Sequence, residues 1–175
     1  PETVNLLTQA LVNALALGYN PRKTARMMAD AMSGNLQRAF LVARTEQMRA
    51  FRSAQVQEYR ESGVVRGYRR RAALSGRTCL ACLMEDGKFY DTLEQYSDHP
   101  GGRCSAEPVL MYYHTTPART GRAWFESLTA DKQREIMGEG HLKAWKDGAF
   151  SLDAVSRIHN HPTWGESPQV VPLKE

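Results

Sequence analysis

The chain has 175 residues, 42% of them hydrophobic and 24% charged, with a formal net charge of +4. This is the composition of an ordinary globular domain, and it excludes a disordered or fibrous chain. No apolar run approaches the roughly 18 residues of a membrane-spanning helix, and three clustered cysteines do not make a secreted disulfide framework.

The sequence opens on Pro1 rather than methionine, which reads as a processed or partial chain. Its first apolar stretch, LLTQALVNALALG, is interrupted by Thr8, Gln9 and Asn13 and has no basic flank, so it is not a signal peptide. Leu7, Leu11 and Leu15 fall at i, i+4 and i+8 and predict a helix from Thr3 to Leu17, ended by Gly18. Asn20-Pro21 restarts a helix that stops at Ser33-Gly34. A long helix then runs from about Asn35 to Ser62, with Leu36, Ala39, Phe40, Ala43, Ala50, Phe51 and Ala54 as its apolar stripe.

After Gly63 the period changes to two. Val64–Leu74 predicts a strand with Arg69 and Arg71 on one face and Tyr68 and Arg70 on the other. Asp86-Gly87 turns into a short strand over Lys88–Tyr90, and Pro108–Tyr113 predicts another. Residues 76–103 read as a long irregular loop, which needs internal staples to stay ordered. Glu85 and Asp86 read as solvated turn carboxylates. Beyond Thr129, helices are predicted over Asp131–Met137, His141–Lys146 and Leu152–Ile158, followed by an extended tail with Pro162, Pro168 and Pro172. Trp124, Phe125, Leu128, Ile136, Leu142, Trp145 and Phe150 are its candidate core.

Charge is unevenly spread. Arg22–Arg77 holds thirteen Lys plus Arg against four Asp plus Glu, and Thr78–Glu175 holds ten against fourteen. A basic half suits a polyanionic partner such as nucleic acid, or solvated arginines that pair with acids elsewhere in the fold.

The cysteines carry the chemistry. Cys79 and Cys82 form C-x2-C, sixteen residues follow, and His99 and Cys104 form H-x4-C. Three sulfurs and one imidazole are a standard structural zinc set, and Pro100, Gly101 and Gly102 let the second pair bend back on the first. Binding of this kind contributes on the order of 10 kcal/mol to small zinc modules. Asp98 and His114 are substitute ligands. Two other readings stand beside zinc: a redox pair, which needs a helix N-terminus beneath the cysteines that this pattern does not supply, and three buried thiols beside a hydrogen-bonded histidine.

Taken in order, Arg44-Thr45-Glu46, Arg77-Thr78-Cys79-x-x-Cys82, Asp86-Gly87-Lys88, His99-Pro100 and Arg103-Cys104 resemble the Mu F-like head-morphogenesis family of tailed phages and prophages. The resemblance is best over Tyr19–Tyr113. That family usually ends the loop His-Pro-x-Cys-Arg-Cys, and Gly102 stands here at the first of those two cysteines. The resemblance implies a non-enzymatic minor head protein. It would be found in the virion at the portal vertex, and in the host cytoplasm during assembly. Its partners would be the portal protein, capsid components and packaged DNA.

The groups expected to meet DNA or portal are Arg38, Arg49, Arg52, Arg60, Arg69, Arg70 and Arg71. Arg44 and Glu46 are expected to form a partly buried network locking the long helix to the sheet. His159-Asn160-His161 spells HNH, but three adjacent residues in a loop cannot make that nuclease centre. The expected architecture is α+β. Residues 1–63 form a helical region, residues 64–116 a β-rich Cys/His module that joins 35–63 in the Mu F-like core, and residues 117–175 a small helical tail. The rivals to the head-protein reading are a zinc-stapled nucleic-acid-binding domain outside a virion and a toxin-type effector.

Overall fold

In the computed structural model, which describes residues 2–113 and 119–173, the first three helices follow the order the sequence predicts. His114, one of the two substitute ligands, lies outside the described residues. Helix α1 spans Glu2–Ala16 and α2 spans Pro21–Ala29, whose first turn is capped by the Asn20 side chain on the Lys23 amide. Helix α3 spans Leu36–Glu61, about 39 Å at 1.5 Å per residue. Ala10, Ala25, Met28, Ala39 and Ala43 are buried together, so small side chains bring the three helices close.

The apolar stripe of α3 departs from expectation halfway along. Phe51 is 59% exposed while its neighbour Arg52 is 4% exposed. The reason is tertiary: Asp98 and two backbone carbonyls lie where Arg52 points.

Strand β1, Val65–Arg71, is the centre of a three-stranded antiparallel sheet. Its neighbours are β2, Phe89–Asp91, and β3, Ser105–Leu110. β3 begins earlier than the sequence suggests, because Pro108 is accommodated within an edge strand, opposite Tyr68. The alternation on β1 holds, with Tyr68 and Arg70 buried and Arg69 and Arg71 half-buried. Tyr68 lies between Tyr90 and Tyr96, with ring centroids at 5.5 and 5.6 Å.

The loop between β1 and β2 contains a helix that the sequence pattern does not predict. Helix α4 spans Leu80–Glu85, and Cys79 is its N-cap. It divides two cores. Leu80, Leu83 and Met84 pack with Phe125, Met137, Leu142, Leu152 and Val155. Cys82 faces the other way, with Val56, Tyr68, Tyr96, Cys104 and Ala106.

The C-terminal part holds α5 (Gly121–Glu126), α6 (Ala130–Met137) and α7 (Glu139–Lys146), with the expected aromatic core. The predicted helix from Leu152 to Ile158 is not formed. A short 3₁₀ turn over Leu152–Ala154 leads instead into a hairpin of β4, Ser156–His161, and β5, Gly165–Val170. Ser167 and Pro168 of β5 are buried, and the hairpin contacts α4, so tertiary packing replaces the extended tail. His159, Asn160 and His161 are consecutive strand residues, not a loop.

Glu85 and Asp86 are buried, not solvated. Glu85 accepts from Tyr90 Oη at 2.6 Å and pairs with Lys88 Nζ at 2.7 Å. Asp86 accepts from the Ala72 amide at 2.6 Å and the Gly121 amide at 2.8 Å, tying β1 to α5. Among the described residues no helix is long and apolar enough to cross a membrane.

Candidate metal centre

Helix α4 places the first two sulfurs. Cys79 has extended backbone at the cap, and its Sγ accepts from the Cys82 amide at 3.4 Å. Cap and third residue of one helical turn thus point to the same side. A helix N-terminus, which the sequence pattern did not supply, is therefore present beneath the cysteines, although it belongs to a single short helix.

His99 reaches them from the far end of the loop. Its Nδ1 lies 3.0 Å from the Pro100 carbonyl oxygen. An oxygen acceptor there calls for the proton on Nδ1, which in the neutral ring leaves the Nε2 lone pair for a metal. Nε2 is 3.4 Å from Cys79 Sγ and 3.2 Å from Cys82 Sγ. A tetrahedral zinc with Zn–S about 2.3 Å and Zn–N about 2.0–2.1 Å has S···N edges of about 3.5–3.6 Å. The two edges are within a few tenths of an ångström of that figure. Donor type, tautomer and spacing all fit a metal.

Cys79, Cys82 and His99 form one trio of converging donor atoms, and Cys82, Asp98 and Cys104 form a second around the same sulfur. Three of the four ligands read from the sequence thus share one trio, and Cys104 stands in the second trio, which meets the first at Cys82. The thiols are free of disulfides, Cys79 exposed and the other two buried. A hydrogen bond with the Cys82 side chain lowers Cys79 to about 7, against the effect of burial. The same sulfur raises His99 to about 9, again against burial. Cys104 is pushed up, by its hydrogen bond with Cys82 and by desolvation.

The loop around the cluster is clamped by α3 and β1. Asp98 Oδ1 accepts from Arg70 Nη2 at 2.6 Å, and Oδ2 pairs with Arg52 Nη2 at 3.0 Å. Arg52 Nε donates to the Cys104 carbonyl and Nη2 to the Gly102 carbonyl. Thr45 Oγ1 accepts from the Gly101 amide at 2.9 Å. Sequence reasoning missed Thr45, Arg52 and Arg70 as clamps because their partners lie 28 to 56 residues away along the chain.

The basic residues read from the sequence are spread among different environments. Arg52 and Arg70 are buried in the Asp98 clamp, so neither guanidinium faces outward, a correction to their expected role in meeting DNA or portal. Arg60 donates to the Thr92 carbonyl and Arg69 to that of Gly87. Arg71 pairs with Glu107 at 3.2 Å. Arg38 is exposed on the first turn of α3. Glu46 pairs with Arg49 one turn on, at 3.0 Å, and not with Arg44, whose buried Nε has no partner among the described residues. Arg49 in turn donates to the Trp164 carbonyl, so the expected network reaches the C-terminal hairpin instead of the sheet.

A cavity of about 110 Å³ opens on the cluster, lined by Arg77, Cys79, His99 and Arg103 among others. The hydrogen bonds of the loop tie residues 98–104 to α3 and β1. The family model described as "Phage Mu protein F like protein" matches residues 5–107, more than half of the chain. No curated protein and no solved structure matches it.

Proposed function

We propose a function from one premise: the chain belongs to the Phage Mu protein F-like family. Membership makes it a phage head-morphogenesis protein. Within that role our reading is of a minor head protein that works by binding, without catalysis, at the portal vertex and on packaged DNA. The observation that carries it is the match itself, which spans the helical half, the Cys/His loop and the sheet as far as the first half of β3.

In this reading Cys79, Cys82, His99 and Cys104 hold one structural zinc ion that staples residues 78–104. The contact surface for a polyanion or an acidic portal face is Arg38 with Arg22, Lys23 and Arg26 of α2. All four are exposed, and none pairs with a carboxylate among the described residues. Arg49, Arg60, Arg69 and Arg71 would contribute only by exchanging their internal partners.

Two experiments test this. Co-expression with the portal protein of the same phage or prophage should co-purify the two. A gel shift with duplex DNA should show binding that falls steeply with salt. Replacing Arg22, Arg26 and Arg38 together by Ala should flatten that salt slope by about one unit for each phosphate no longer neutralised. DNA binding with no portal association would instead favour the nucleic-acid-binding domain outside a virion, and neither association would refute the binding role.

A further inference from the structure

The Cys/His cluster lies against an unbalanced buried charge. Arg52 and Arg70 share one carboxylate, Asp98. Two guanidiniums and one carboxylate leave one positive charge inside the protein. Their other protein acceptors of hydrogen bonds are the neutral carbonyls of Gly102, Cys104 and Ser97, and a sulfur. Arg70 Nε is buried with no acceptor among the described residues. No second carboxylate pairs with either arginine among those residues. An uncompensated charge in the interior is strongly destabilising. What stands beside Arg70 is sulfur: Nη2 is 3.6 Å from Cys82 Sγ, and Cys104 gathers with Cys82 and Asp98.

We propose that this surplus is the counter-charge of a divalent metal held by three thiolates and a neutral imidazole, with Arg70 as a positioning residue of that complex. The inference rests on the metal reading above and adds its composition. A divalent ion with Cys79, Cys82 and Cys104 as thiolates and His99 neutral carries one negative charge, which closes the balance. The same ion on Cys79, Cys82 and His99 alone is neutral and leaves the surplus in place. Charge thus selects Cys104 over water as the fourth ligand. His99 enters neutral because a metal on Nε2 replaces the proton there, while Nδ1 keeps its proton toward the Pro100 carbonyl. Arg70 donates toward Cys82 in the manner of an outer-shell group, which orients a ligand and tunes its charge.

The test uses the full chain purified without chelator, with bound zinc measured by mass spectrometry and cobalt substituted for spectroscopy. One ion per chain is expected, with sulfur-to-cobalt charge-transfer intensity appropriate to three thiolates. C104S should lose about a third of that intensity, and an unchanged spectrum would overturn the composition. In competition with a chromophoric chelator, R70M should bind zinc about 10- to 100-fold more weakly at unchanged stoichiometry. D98N makes the surroundings more positive and should bind zinc more tightly than wild type. A clamp that acts only as a strut would weaken binding in both variants, and that result, or R70M binding as wild type does, overturns the role of charge. Should R70M fail to fold by circular dichroism, D98N and C104S still decide. A wild-type chain with no bound metal would sink the metal reading itself, a result distinct from each of these.

Discussion

Gly102 lies so close to Asp98 that a Cβ built on it would stand 2.0 Å from a carboxylate oxygen. The position where the family usually carries a cysteine therefore has no room here for any side chain. Asp98, held by Arg52 and Arg70, occupies that space. Introducing the family's sulfur by G102C should therefore destabilise the fold, by prising Asp98 from its clamp. Overpacking of this kind typically costs about 1–3 kcal/mol. The check is thermal unfolding of G102A and G102C, with zinc content measured on each; a stabilised, zinc-replete G102C would contradict it.

Phe51 and Arg52 offer a second contrast. Replacing the exposed aromatic, F51S, should change stability by less than about 0.5 kcal/mol. R52A breaks a buried pair and strands Asp98, which costs on the order of 3–5 kcal/mol. Urea midpoints for the two variants, side by side, would show whether burial or hydropathy governs this part of α3.

Glu85 provides a pH test. Burial pushes its carboxyl up, but hydrogen bonds from Lys88 and Tyr90 outweigh burial and leave it below its ordinary value. A depressed folded-state value means that the stabilisation is fully present above the unfolded carboxylate range near about 4.3. It is lost as pH falls from there through the lower folded value. E85Q should therefore be less stable than wild type at pH 7 by about 1–3 kcal/mol. The gap should narrow below about pH 4. Equal losses at pH 7 and pH 3 would mean that shape, not charge, matters at this site.

Metal removal should loosen one segment first. Bound thiolates must be free of protons, so zinc retention is expected to fall as pH drops below neutral. A chelator at pH 7 should then expose residues 76–104 to a protease that cuts after arginine, with Arg77 and Arg103 as the early sites. The time course of cleavage with and without chelator, read by mass spectrometry, is the measurement. Identical cleavage in both would show that packing alone holds the loop.

Much of the fold was legible because it is local. Helices α1, α2 and α3, the alternation on β1 and the C-terminal helical core follow from periodicity, caps and glycine stops. Spacing singled out Cys79, Cys82 and His99, whose donor atoms the fold sets together in one trio. Helix α4 was hidden because Cys79 served as its cap, a role sequence rules assign to serine, threonine or aspartate. The β4–β5 hairpin was hidden because its strands find their burial only against α4, and Pro162 and Pro168 mimic an irregular tail. The buried charges were the least legible. Glu85, Asp86, Asp98, Arg52 and Arg70 look like surface residues until partners far along the chain are brought beside them.

Helix α4 has the cysteines on one side and the C-terminal core on the other, and Asp86 at its end binds the Gly121 amide. Much of the packing between the C-terminal core and the cysteine loop is therefore carried by one six-residue helix. Six residues hold few internal hydrogen bonds, so the helix depends on what is packed against its two faces and on its cap. Its N-terminal anchor is Cys79. Whatever the cysteines grip would therefore also stiffen the platform on which the C-terminal core packs.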